Sequence, residues 1–124
     1  MNTNTITICG KELTLAYNFA TEIAFQDMTE TKATDFIREA AVNLQNQQRP
    51  DIKSSILLII ACAIAYYESK NEESPITDKD LMNEATPEEI MTALGIIIRL
   101  FASFYHISLP EEKKKGGKGR SKKK

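Results

Sequence analysis

Residues 4–9 and 12–17 alternate apolar and polar side chains with a period of two, and Gly10-Lys11 stands between them. That period is the pattern of half-buried β-strands. Gly10 supplies the positive φ that a tight hairpin turn requires. Ile6 and Ile8 share one face of the first run, and Leu13 and Leu15 share one face of the second. A two-stranded hairpin is marginal on its own in water. It must lay its apolar face on other elements or pair with a strand of another chain. The chain after it reads as helix to residue 106. The predicted fold is therefore mainly α in the α+β class: an N-terminal two-stranded β-hairpin, a bundle of four to five helices and a disordered basic C-terminal tail. Residues 1–110 form the single domain and 111–124 the tail.

The helices announce themselves by period and by caps. Asn18 is an N-cap candidate for the first, in which Ala20, Ala24, Phe25 and Met28 form one stripe. The second begins near Thr31 or Thr34, carries Phe36, Ile37, Ala40, Ala41 and Leu44 on one face, and ends in the polar run 46–50. Asp51 caps a third helix over about 52–70. Its middle, Ile56 to Cys62, is apolar all round, so other elements must surround it. Thr77 with Asp80 signals a short helix over 78–84. Thr86-Pro87-Glu88-Glu89 places a cap, a proline at the first helical position and a glutamate at the third. The last helix then runs to about His106, with Ile90, Leu94, Ile97, Phe101, Phe104 and Tyr105 on one stripe. Gly95 interrupts it, and a close helix–helix approach is the expected reason.

Charge is distributed unevenly. Residues 111–124 hold seven Lys and one Arg against two Glu, a net of +6, whereas residues 1–110 carry −7. Eight acids face two lysines between Glu68 and Glu89. The longest apolar run, Ile56 to Tyr67, is twelve residues, short of the roughly 20 that span a bilayer, so a buried helix is predicted rather than a membrane span. Cys9 and Cys62 fit no metal or redox spacing. Without a signal-peptide pattern they read as reduced thiols of a cytoplasmic protein, with Cys62 in the core.

No catalytic or metal constellation is present. His106 is the sole histidine and suits a helix C-terminus. Glu88 and Glu89 suit a helix N-terminus, and Gly116-Gly117 falls in the tail rather than in a phosphate loop. The sequence predicts no enzyme activity and no cofactor. The aromatics Tyr66, Tyr67, Phe101, Phe104 and Tyr105 fall at the ends of the two long helices. They read as core or, alternatively, as an exposed apolar surface for a partner. The tail residues Lys113, Lys114, Lys115, Lys118, Arg120, Lys122, Lys123 and Lys124 form the one nucleic-acid-like feature. No aromatic is interleaved for base stacking. A solubilising tail is the plainer reading, with nucleic-acid binding weak or none.

The segment containing Ile6, Ile8, Gly10, Lys11, Glu12, Leu15, Tyr17 and Phe19 resembles the short-form tail assembly chaperones of long-tailed bacteriophages and prophages. The likeness is carried by the hairpin and first helix, and elsewhere by length and helical architecture. Cys9 stands where Asn or Asp is expected before the glycine. The resemblance implies a non-enzymatic chaperone that coats the tape measure protein, helps recruit tail tube protein, self-associates, and is absent from the mature virion. It also implies a longer product made by ribosomal frameshifting, with Lys113–Lys115 or Lys122–Lys124 as the trace of a slippery A-rich site. Two other readings remain: a small nucleic-acid-associated protein gripping phosphate with its tail, or a minor structural protein of the virion. Loss of salt-dependent nucleic-acid binding on deleting residues 111–124 would favour the first of these, and presence in purified particles the second.

Overall fold

The structure, a computed structural model, describes residues 2–108. Strands β1 (Thr3–Ile8) and β2 (Lys11–Ala16) pair antiparallel, with Ile8 opposite Lys11 at the turn and Thr3 opposite Ala16 at the base. The turn is Cys9-Gly10, one residue earlier than the predicted Gly10-Lys11. Both turn residues take positive φ, 54° and 75°. Two such residues in succession give the backbone twist that matches paired strands. Cys9 is held in that conformation by its N–H, which donates to the Glu89 carboxylate at 3.3 Å.

The two-residue loop closes on a hydrogen-bonded pair, so alternate pairs along the ladder are non-hydrogen-bonded. Thr5 and Thr14 form one of these, and their hydroxyls meet at 2.8 Å. The Thr14 N–H therefore points away from β1, and it donates to the Tyr67 hydroxyl at 3.1 Å. The opposite face carries Ile8, Leu13 and Leu15, all fully buried, with Ile6 half-buried. The hairpin thus lays its apolar face on this chain's own helices, one of the two predicted solutions.

Five helices follow: α1 (Phe19–Thr29), α2 (Ala33–Gln45), α3 (Ile52–Ser69), α4 (Asp78–Glu84) and α5 (Pro87–Tyr105). The predicted caps are in place. Asn18 and Thr21, Thr77 and Asp80, and Thr86 and Glu89 form reciprocal capping boxes, and Asp51 accepts from the Ser54 N–H at 2.9 Å. Helix α3 is the central element, packed against α1, β2, α4 and α5. Its length and composition alone would allow a membrane span, but nine of its residues are buried within this fold. One core joins the hairpin to every helix, from Ile8 and Leu13 through Phe25, Ile37, Leu58 and Leu81 to Leu94 and Phe101.

Three local expectations change. Helix α2 starts at Ala33 behind Lys32, which makes no side-chain cap. Thr29 and Thr31 instead bond each other in the preceding turn. Helix α1 buries Thr21 and Phe25 and leaves Ala20 and Met28 exposed. Thr21 tolerates burial because its hydroxyl donates to the Ala16 carbonyl and accepts from the Asn18 N–H. At Gly95 a Cβ would meet nothing within 4 Å, so no close helix contact requires the glycine. Gly95→Ala is accordingly expected to stabilise the fold by about 1 kcal/mol, read from denaturant unfolding.

Four helices end on a residue in the left-handed region, and none of the four is glycine: Glu30, Gln47, Asn71 and His106. After α2, α3 and α5 the next residue's N–H reaches back five positions, Gln48 to Asn43, Glu72 to Tyr67 and Ile107 to Ala102. This is the Schellman arrangement, which satisfies carbonyls that a helix end leaves open. The predicted disorder of the tail concerns residues outside those described.

Candidate functional site

Tyr17, directly after β2, is fully buried. Its ring meets Phe101 and Phe104 edge-on, with centroids 5.5 and 5.7 Å apart. Phe104 also contacts Phe19 at 5.1 Å, and Tyr105 contacts both Phe101 and Phe104. Glu22 fixes this cluster from α1. One of its carboxylate oxygens accepts from the Tyr17 hydroxyl at 2.7 Å and from the Tyr105 hydroxyl at 2.5 Å. The Glu22 hydrogen bond, with some burial, pushes the Tyr105 hydroxyl up to about 12. Burial first, then Glu22, raises that of Tyr17. Both therefore remain protonated donors at neutral pH.

The outer side of this cluster is open. Phe19 is 63% and Ile23 62% exposed, four residues apart on one face of α1, and Tyr105 is 37% exposed at its edge. Of the five aromatics singled out from sequence, Phe101 is core, while Phe104 and Tyr105 belong to this end of the molecule. Tyr66 and Tyr67 form a separate half-buried pair, with rings 4.9 Å apart and the Lys70 ammonium 5.7 Å from the Tyr66 ring. Among the described residues no ring contact joins the two groups. Tyr67 acts as a bracket for β2 through its bond from Thr14. The basic tail residues Lys113 to Lys124 lie outside the described residues.

A second apolar surface lies at the other end of α5. The start of α3, Leu81 and Met82 of α4, and the first turn of α5 enclose an open groove of about 430 Å³. Ile56, Leu81 and Ile90 are its buried walls, Met91 is half-buried beside them, and Arg49 and Pro87 stand at the rim. Ile52, 47% exposed, and Met82, 59% exposed, form its lips. The cleft continues past them as a further hollow of about 320 Å³ bounded by Lys53, Leu57 and Asp78. Methionine adapts its shape to varied apolar partners. A concave, methionine-bearing apolar groove between helices suits an amphipathic helix presenting anchors at i, i+3 or i+4, and i+7.

Sequence reasoning assigned no exposed apolar surface to Phe19, Ile23, Ile52 or Met82. A signal existed for three of the four. Phe19 and Ile23 share a face of α1 that Phe25 does not, and a seven-residue helix carrying adjacent Leu81 and Met82 can bury only one of them.

Among the described residues no group of three or more His, Cys, Asp or Glu is arranged to hold a metal. Cys62 is fully buried, and burial raises its thiol pKa. The two surfaces offer apolar contact area. No protein-family model, curated protein or solved structure matches the chain.

Proposed function

We propose that the chain is a non-enzymatic tail assembly chaperone that covers apolar helical stretches of a tape measure protein and assists tail tube assembly around it. The observation that carries this reading is the groove between α3, α4 and α5, whose lips Ile52 and Met82 stand open to solvent although both are large and apolar. Exposed apolar surface of that shape marks a docking site for an apolar partner. The hairpin residues Ile6, Ile8, Gly10, Lys11 and Glu12, with Leu15, Tyr17 and Phe19, support the identity of the partner through the family resemblance. In this mechanism the partner helix sets its apolar stripe against Ile56, Leu81, Ile90 and Met91, and Ile52 and Met82 close over it. A long helical protein kept covered in this way is withheld from aggregation until tube subunits replace the chaperone.

The test uses peptides tiled across a tape measure protein of the phage or prophage to which this reading assigns the chain. Ile52→Glu with Met82→Glu places charges on the lips without touching the buried core, so stability is expected to change by only about 0.5 kcal/mol per site. Affinity for the bound peptides is expected to fall at least tenfold, about 1.4 kcal/mol. Undiminished binding by the double variant, or no peptide bound by the wild-type chain, would refute the proposal.

A further inference from the structure

The groove does not stop at Arg49 and Pro87. Beyond them it opens into a shallow hollow of about 470 Å³, bounded by Arg49 on one side and by Glu88, Met91 and Thr92 on the other. The hollow at the opposite end sets Lys53 against Asp78. The three spaces share walls and form one trough. Arg49, Pro87 and Met91 join the first hollow to the groove, and Ile52, Ile56 and Met82 join the groove to the last. Charge along the trough is sorted by wall. The α3 side carries Arg49 and Lys53, and the side built by α4 and α5 carries Asp78 and Glu88. Arg49, Lys53 and Glu88 are exposed, and Asp78 is half-buried. None of these four side chains makes a hydrogen bond or an ion pair with a described residue. Neighbouring acids are already engaged as caps: Asp51 accepts from the Ser54 N–H, Asp80 from that of Thr77 and Glu89 from that of Thr86.

We infer, resting on the reading of this trough as a helix-docking groove, that its occupant is an amphipathic helix of another protein with acidic residues along one edge of its apolar stripe and basic residues along the other, and that the sorted walls fix the direction in which this helix lies. Acids of the helix face Arg49 and Lys53, and its bases face Asp78 and Glu88. A helix laid stripe-down and turned end for end keeps its stripe in the trough but exchanges its two edges. Walls of like charge accept both directions equally, whereas walls of opposite charge favour one. Charge complementarity of this kind sets register and orientation more than raw affinity. Two occupants from this chain itself fail on the same grounds. Residues 109–124 bring only Leu109 and Pro110 as apolar residues, so they offer no stripe. Helix α1 exposes Phe19 and Ile23 but contains Glu22 and Asp27 and no Lys or Arg, so a second copy offers no basic edge there. Copies bound along one long helical partner therefore all lie the same way round.

Designed helical peptides of about 18 residues, added to the full chain, test it. They carry leucines at i, i+4, i+7 and i+11, glutamates along one edge, lysines along the other, and a nitroxide label at the N-terminus. This peptide is expected to bind and to broaden amide NMR signals at one end of the trough only, near Glu88 or near Lys53. The peptide with its two edges exchanged is expected to broaden those at the other end. A peptide of the same composition, with glutamate and lysine alternating along both edges, is expected to bind about tenfold more weakly. Arg49→Glu with Lys53→Glu makes both walls acidic. Glutamate suits the start of a helix, so the fold is retained. This variant is expected to seat the sorted-edge peptide in both directions and to prefer a peptide with lysine along both edges. Equal affinity for all the peptides, or broadening at the same end by both sorted-edge peptides, would overturn the inference and leave the groove as a docking site. Failure of every peptide to bind would overturn both.

Discussion

Tyr17→Ala is expected to lower folding stability by about 4 kcal/mol, because it empties the space between β2, α1 and α5. The side chain is fully buried, and its ring contacts hold Phe101 and Phe104 in place. Its hydroxyl is one of the two donors to Glu22. Truncation therefore removes packing and also leaves a half-buried carboxylate with only Tyr105. Tyr17→Phe separates the contributions. It keeps the ring and is expected to cost about 1–2 kcal/mol, the range for a hydrogen bond to a charged group. Denaturant unfolding of the pair gives both numbers. Near-equal losses would mean that the hydroxyl, rather than the ring, organises this end of the molecule.

Leu13→Asp is expected to abolish cooperative folding altogether. Leu13 sits opposite Ile6 on the buried face of the hairpin and has no exposed surface. A carboxylate in so fully buried a place must lose its charge or force its way to water, at a cost of several kcal/mol. Small domains hold only about 5–15 kcal/mol in total. The expected readout is loss of helical circular dichroism together with the hairpin signals, because β2 lies directly on α3. Retained helix content with a cooperative melt would instead make the hairpin a detachable accessory.

The caps and the centre of the fold could be read from sequence because their causes are local. A threonine followed three residues later by a carboxylate forms a capping box wherever a helix begins, as at Thr77 and Thr86. An apolar run with no polar face, as in α3, has nowhere to lie except inside. What escaped notice depends on which of two competing faces wins. Helix α1 offers Phe25 and Met28 on one reading and Phe19 and Ile23 on another, and the decision falls to Thr21, whose hydroxyl is satisfied internally. The sequence placed the aromatics at helix ends, but only the three-dimensional path of α3 and α5 divides Tyr66 and Tyr67 from Phe104 and Tyr105. The groove is less legible still. Its lips come from α3 and α4, and its floor needs α5, so no single window of sequence contains it.

The left-handed residues that end four of the five helices have a practical consequence. A side chain in that conformation costs on the order of 1 kcal/mol where glycine would cost little, although Asn71 is better suited to it than Glu30, Gln47 or His106. Part of the difference is offset by the greater freedom of glycine in the unfolded chain. The remainder, taken over several helix ends, is a sizeable fraction of what a small domain holds. The chain thus lies below the stability its own backbone could support, as proteins held just above a threshold do. Glu30 and Gln47 lie outside the groove and the aromatic cluster, so the scaffold can be hardened there while both surfaces stay as they are.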